Sequence, residues 1–174
     1  TVLKILRVTG GAGALKAVRG AVDDTNKDVH ATAIRVISAW RSDDAIPVLL
    51  ELAKNTSEPK DRVQCLRGYL KTAVRKDIPP KDRFAMCTQA IPIIERTEER
   101  RMLLDALGRL ANAGSLKLII PYLDDPAVKN EAATTVMAIV KERPKILNST
   151  AAEKALEKVH TAADNPAIVK EAKA

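Results

Sequence analysis

GALKAVRGAVDD, running from Gly13 to Asp24, and GSLKLIIPYLDD, from Gly114 to Asp125, are one phrase written twice. In each, a small residue follows the glycine and Leu-Lys comes next. A β-branched residue sits two positions further on, and a pair of aspartates closes the stretch. Leu15, Val18, Ala21 and Val22 in the first copy fall at helical spacing, so the phrase reads as an amphipathic helix that stops at an acidic turn. A phrase of this kind recurs in one chain when it is the same part of a repeated structural unit.

Working outward, the same periodicity continues. Val29, Ala33, Val36, Ile37 and Trp40 form one stripe, and Ile46, Leu49, Leu50 and Ala53 another. Val63, Leu66, Leu70 and Ala73 make a third, followed by Leu103, Ala106, Leu107 and Leu110, and by Val128, Ala132, Val136 and Ile139. No segment alternates with a two-residue period. Hydrophobic residues are 46% of the 174, enough to bury a core, while aromatics are only 2%, which suits packed helices better than a sandwich or barrel. The chain is read as all-α, with helices over 1–9, 12–23, 26–41, 43–54, 58–76, 80–95, 97–111, 114–123, 126–142, 150–163 and 166–173.

The expected starts carry capping signals: Ser42 before Asp43 and Asp44, Ser57 before Glu58 and Pro59, Thr97 before Glu98 and Glu99. Asp125-Pro126 and Asn165-Pro166 read as a cap and a first helical residue, and Thr150 with Glu153 as a capping box. Pro47, Pro92 and Pro121 are expected inside first helices, bending them. After the segment 1–9, the helices pair into hairpins over 12–41, 43–76, 80–111, 114–142 and 150–173. One hairpin cannot bury its apolar face alone, so the expected architecture is a single array of stacked hairpins, an α-α superhelix or solenoid. Segment 1–9 reads as the second helix of a truncated repeat. Its apolar Val2, Leu3, Ile5 and Leu6 lead to the expectation that the natural protein continues N-terminally, whereas Lys170, Glu171 and Lys173 look like a cap or linker.

The stretch Asp125-Pro126-Ala127-Val128-Lys129-Asn130-Glu131-Ala132-Ala133 resembles the second-helix opening of HEAT-like repeats of the phycobilisome-lyase type. Asn26 to Ile34 is a weaker copy, with His30 and Lys129 standing where that family usually has arginine. Residues 82–125 are also similar to helical-repeat modules of large bacterial multidomain proteins. The resemblance covers nearly the whole chain and implies a scaffold whose partner is another protein or a neighbouring domain of the same polypeptide. No position matches a bilin-handling motif, so a bilin or cofactor lyase ranks last among the readings.

The chemistry-bearing residues read mostly as structure. Cys65 and Cys87 are far apart and lack a base nearby in sequence, which points to small packing residues rather than a disulfide, a nucleophile or a zinc site. His30 and His160 read as helix-surface residues. The pairs Asp23-Asp24, Asp43-Asp44 and Asp124-Asp125 fall at helix junctions, where turn formation accounts for them. Gly10, Gly11 and Gly13 precede a helix without the lysine of a phosphate loop and read as a stop and restart. Trp40 ends a stripe and is expected to pack. No cofactor, no metal, no catalysis and no membrane span are expected.

Charge is the feature that points to a partner. Residues 60–83 carry Lys60, Arg62, Arg67, Lys71, Arg75, Lys76, Lys81 and Arg83 against Asp61, Asp77 and Asp82, so they supply most of the net charge of +7. Arg67, Lys71 and Arg75 are spaced by four and are expected to line one face of a second helix, on the concave side of a solenoid. The first reading is therefore a non-catalytic protein-interaction module. The alternative is nucleic-acid binding by the basic stripe, disfavoured by the shortage of aromatics for base stacking.

Overall fold

The computed structural model describes residues 2–164 together with Pro166 and Ala172. Among them lie ten α-helices and no strand. The helices are α1 (Val2–Thr9), α2 (Gly11–Gly20), α3 (Lys27–Ser38), α4 (Ala45–Asn55), α5 (Pro59–Ala73), α6 (Pro80–Ala90), α7 (Thr97–Leu110), α8 (Ala113–Ile119), α9 (Lys129–Glu142) and α10 (Thr150–Ala162). Of the helix expected over 166–173 only Pro166 and Ala172 are described, and both are helical; the cap expected at Asn165 lies outside the described residues.

The repeated phrase takes the same local form both times. In the first copy α2 tightens into a 3-10 turn at Ala21–Asp23. In the second, α8 tightens into one at Ile120–Asp124. The same ending closes α6, at Ile91–Ile93. The three prolines lie at helix ends, not in the helix interiors where they were expected. Pro92 and Pro121 sit at the start of those 3-10 turns, where the α-ladder is already abandoned, and Pro47 lies in the first turn of α4, where no intrahelical donor is needed.

Several caps differ from the reading of the sequence. The cap of α10 is Ser149, which accepts from the Ala152 N–H at 3.2 Å, and Thr150 is already helical. The cap of α3 is Asn26, accepting from the Asp28 N–H at 2.9 Å. Asp125 does not open a helix. Its carboxylate accepts from the Ala127 N–H at 3.0 Å, and α9 starts only at Lys129, after a turn. At Ser42 a turn likewise intervenes, with α4 beginning at Ala45. The three aspartate pairs are thus held in turns and ion pairs, among them Asp23 with Arg19, Asp124 with Lys158 and Asp125 with Arg100.

The contacts group the chain into two compact units, residues 1–72 and 73–174. In the first unit the core is built by Leu15, Val18, Ile34, Ile37, Leu49 and Leu66, with Trp40 buried just past α3 and donating from Nε1 to Ser42 Oγ at 2.8 Å. Helices α3 and α5 lie side by side. His30 meets Asp61 at one end, and Ser38 meets Gly68 at the other, so the two helices run in the same direction. In the second unit the core is Leu103, Leu107, Leu116, Ile119, Leu123, Val136 and Val159. There α7 and α9 also run in the same direction, Arg101 meeting Glu131 and Gly108 facing Thr135. The two contacts span similar sequence separations, 31 residues for His30–Asp61 and 30 for Arg101–Glu131.

At the N-terminal end Val2, Ile5 and Val8 of α1 are exposed. Cys65 and Cys87 are buried free thiols, and burial pushes each up to about 11. Neither is therefore expected to react with iodoacetamide in the native protein at pH 8, since the thiolate is the nucleophile and both thiols are shielded. Mass spectrometry of the alkylated native and urea-unfolded protein checks this. Rapid labelling of the native form contradicts it.

Candidate functional site: a basic groove

Along α5, Lys60, Gln64, Arg67 and Lys71 recur at helical spacing and face the side of α3 that carries Arg35 and Ser38. Between the two helices lies an open groove of about 470 Å³. Gly68 forms part of its floor because α3 approaches so closely there: a Cβ on that glycine would stand 2.7 Å from the Ser38 carbonyl oxygen.

The lining holds four cations, Arg35, Lys60, Arg67 and Lys71, and no carboxylate. Among the described residues none of these four side chains forms an ion pair. Arg67 is half-buried, and its Nε is shielded from solvent without a hydrogen-bond partner. With no carboxylate beside them, the four cations leave the groove able to gain charge-assisted hydrogen bonds from an acceptor that enters it. Four like charges along one cleft also set up an attractive field for anions.

The groove between α7 and α9 provides the contrast. It has about 510 Å³ and is lined by Arg101, Asp105 and Glu131 among others. Its charges are spent on each other or on neighbours: Arg101 Nε donates to Glu131 Oε1 at 2.8 Å, and Asp105 accepts from Arg109. Charge neutrality, not shape, separates the two grooves.

Of the expected stripe, Arg67 and Lys71 do line the groove. Arg75 does not. The α5 helix ends at Ala73, and Arg75 sits beyond it in the second unit, its guanidinium held by Asp77 through Nε at 3.1 Å and through Nη2. That same contact holds the exposed Asp77 carboxyl below the usual carboxylate range. Arg35 was missed because it stands alone in a different segment. Its only sequence signal is its position about one repeat before Arg67.

His30, expected on a helix surface, is part-exposed, but its ring is paired on both sides. Its Nδ1 is 2.5 Å from the Val22 carbonyl and its Nε2 is 2.6 Å from Asp61 Oδ2, with the Asp61 side chain 10% exposed. A carbonyl and a carboxylate can only accept, so both contacts are hydrogen bonds together only in the imidazolium form. The Asp61 hydrogen bond, with the Val22 carbonyl second, raises the His30 pKa above its ordinary value. His160 is half-exposed on α10.

Among the described residues no three His, Cys, Asp or Glu side chains gather closely enough to hold a metal ion, and no helix is long and apolar enough to cross a membrane. No protein-family model, curated protein or solved structure matches this chain.

Proposed function

We propose that this chain is a non-catalytic protein-interaction module, a HEAT-like solenoid of helical hairpins whose groove between α3 and α5 receives an acidic segment of a partner protein or of a neighbouring domain. The single observation that carries this reading is the set of four cations in that groove with no carboxylate among them. The solenoid reading is supported by the parallel packing of successive second helices within each unit at an offset near one repeat. In such an array the second helices face the concave side, where an extended segment is gripped along its length. An acidic peptide is favoured over nucleic acid because the groove lining contains no aromatic side chain on which a base could stack.

The test uses the whole chain and two fluorescent probes, a short oligoglutamate peptide and a single-stranded oligonucleotide of equal charge. The peptide is expected to bind at least as tightly as the oligonucleotide. The Arg67→Ala/Lys71→Ala double variant should weaken peptide binding by about tenfold or more, since each lost charge-assisted contact is worth about 1.5–3 kcal/mol. The variant should also show a shallower salt dependence. Unchanged affinity in the double variant contradicts the reading, and clearly tighter oligonucleotide binding that depends on the same two residues transfers the groove to nucleic acid.

A further inference from the structure

The second unit contains a separate cavity of about 280 Å³ between the start of α6 and the ends of α7 and α9. Lys76, Arg83, Arg109 and Arg143 line it, with Glu142 as its one acid and Ile78 as part of its apolar wall. Arg83 is the unusual member. It is only 7% exposed. Its Nη1 donates to the Arg75 carbonyl at 3.3 Å, and its Nε is buried without any partner. Among the described residues no carboxylate pairs with it.

A guanidinium cannot relieve such a position by losing its proton, because it stays charged at every accessible pH. A buried charge of this kind is tolerated when an opposite charge joins it. The surroundings supply no such charge in excess. Arg109 is aligned by Asp105, whose two oxygens each lie 3.0 Å from Nε, and this leaves its terminal nitrogens as donors. Glu142 is 3.9 Å from Arg143, with both side chains more than 60% exposed, a separation at which neither is neutralised effectively. Lys76 has no acidic partner among the described residues.

We propose that this cavity is a binding site for a small, multiply charged oxyanion of the phosphate class, either the free ion or a small phosphate monoester. The guanidinium ends of Arg83 and Arg109 donate to its oxygens, and Lys76 and Arg143 close the site from the solvent side. Guanidinium groups match the fork geometry of phosphoryl oxygens. At about 280 Å³ the space is smaller than a pocket for a drug-sized ligand, which selects a compact anion over an extended chain. The site is independent of the α3/α5 groove.

The experiment compares thermal unfolding and calorimetric binding of the whole chain in phosphate and in chloride at matched ionic strength. Phosphate is expected to raise the melting temperature of the wild type. Lys76→Ala/Arg143→Ala changes two exposed side chains and should weaken inorganic phosphate by about tenfold or more. Arg83→Met fills the same space without the charge, so it should abolish the phosphate response while raising the melting temperature in phosphate-free buffer. Arg67→Ala/Lys71→Ala should leave the phosphate response intact. A parallel titration with glycerol phosphate identifies the source: tighter binding than inorganic phosphate assigns a monoester, weaker binding the free ion, and both orders uphold the site. Equal melting temperatures in phosphate and chloride, or an undiminished response in the Lys76/Arg143 double variant, overturn the proposal.

Discussion

Gly68→Val is expected to destabilise the protein by about 3 kcal/mol, at the upper end of the overpacking range. The reason is the close approach of α3 to α5. A Cβ at position 68 meets the Ser38 carbonyl oxygen at 2.7 Å, the Ser38 Cα at 3.1 Å and Leu49 Cδ2 at 3.3 Å. Two of these atoms are backbone, which cannot rotate away as a side chain would, so the helices must separate and Ile34, Ile37 and Leu66 lose packing. Gly68→Ala meets the same atoms and should also destabilise, by less, because alanine recovers about 1 kcal/mol of helix propensity. Gly20→Ala is the control. A Cβ there meets nothing within 4 Å and the backbone is helical, so this change should be neutral or stabilising. Urea denaturation of the three variants checks the ordering. A Gly68→Val protein as stable as the wild type would show that α3 and α5 do not pack as described.

The second large effect is expected at His30. His30→Ala leaves the Asp61 carboxylate almost wholly buried with no partner among the described residues, and should cost about 2 kcal/mol at pH 6. The loss should depend on pH in a definite direction. Because the folded pKa of His30 lies above its unfolded value of about 6.5, the wild type binds its proton more tightly when folded. The contribution is therefore complete below about pH 6.5 and fades as pH rises through the folded value. Above it, the neutral ring turns a lone pair toward either the Val22 carbonyl or the Asp61 carboxylate. The charge of Glu58 also favours the imidazolium. Unfolding free energies of wild type and His30→Ala, measured across pH 5.5 to 9, should converge toward the alkaline end. A gap that is constant or widens with pH would mean that the ring is neutral in the folded protein.

Helical periodicity was enough to locate the α-helices because burial of one face dominates the choice of element. Leu15, Val18 and Val22, read as a stripe, are buried, and the duplicated phrase does adopt one local form in both places. The ends were harder to read, because they are settled by single hydrogen bonds that periodicity does not see. Trp40 extends the α3 stripe in sequence, yet α3 stops at Ser38 and the indole packs from outside the helix while bonded to Ser42. Asp125 looked like a cap and forms a turn instead. The groove was half legible. Arg67 and Lys71 sit on one face of one helix, so spacing found them, whereas Arg35 arrives from another helix and Arg75 is removed by the end of α5. The partner of His30 lies 31 residues away, across two helices, where neither residue's own neighbours advertise the other.

The most direct measurement is backbone-amide NMR of the whole chain during titration with the oligoglutamate peptide. The largest shifts are expected to gather at Arg35, Ser38, Lys60, Gln64, Arg67 and Lys71, the residues of the α3/α5 groove. The charge-neutralised groove at Arg101, Asp105 and Glu131 is expected to stay silent. Shifts scattered over all basic residues alike, or concentrated on the α7/α9 groove, would contradict the claim that the unpaired cations between α3 and α5 form the binding site.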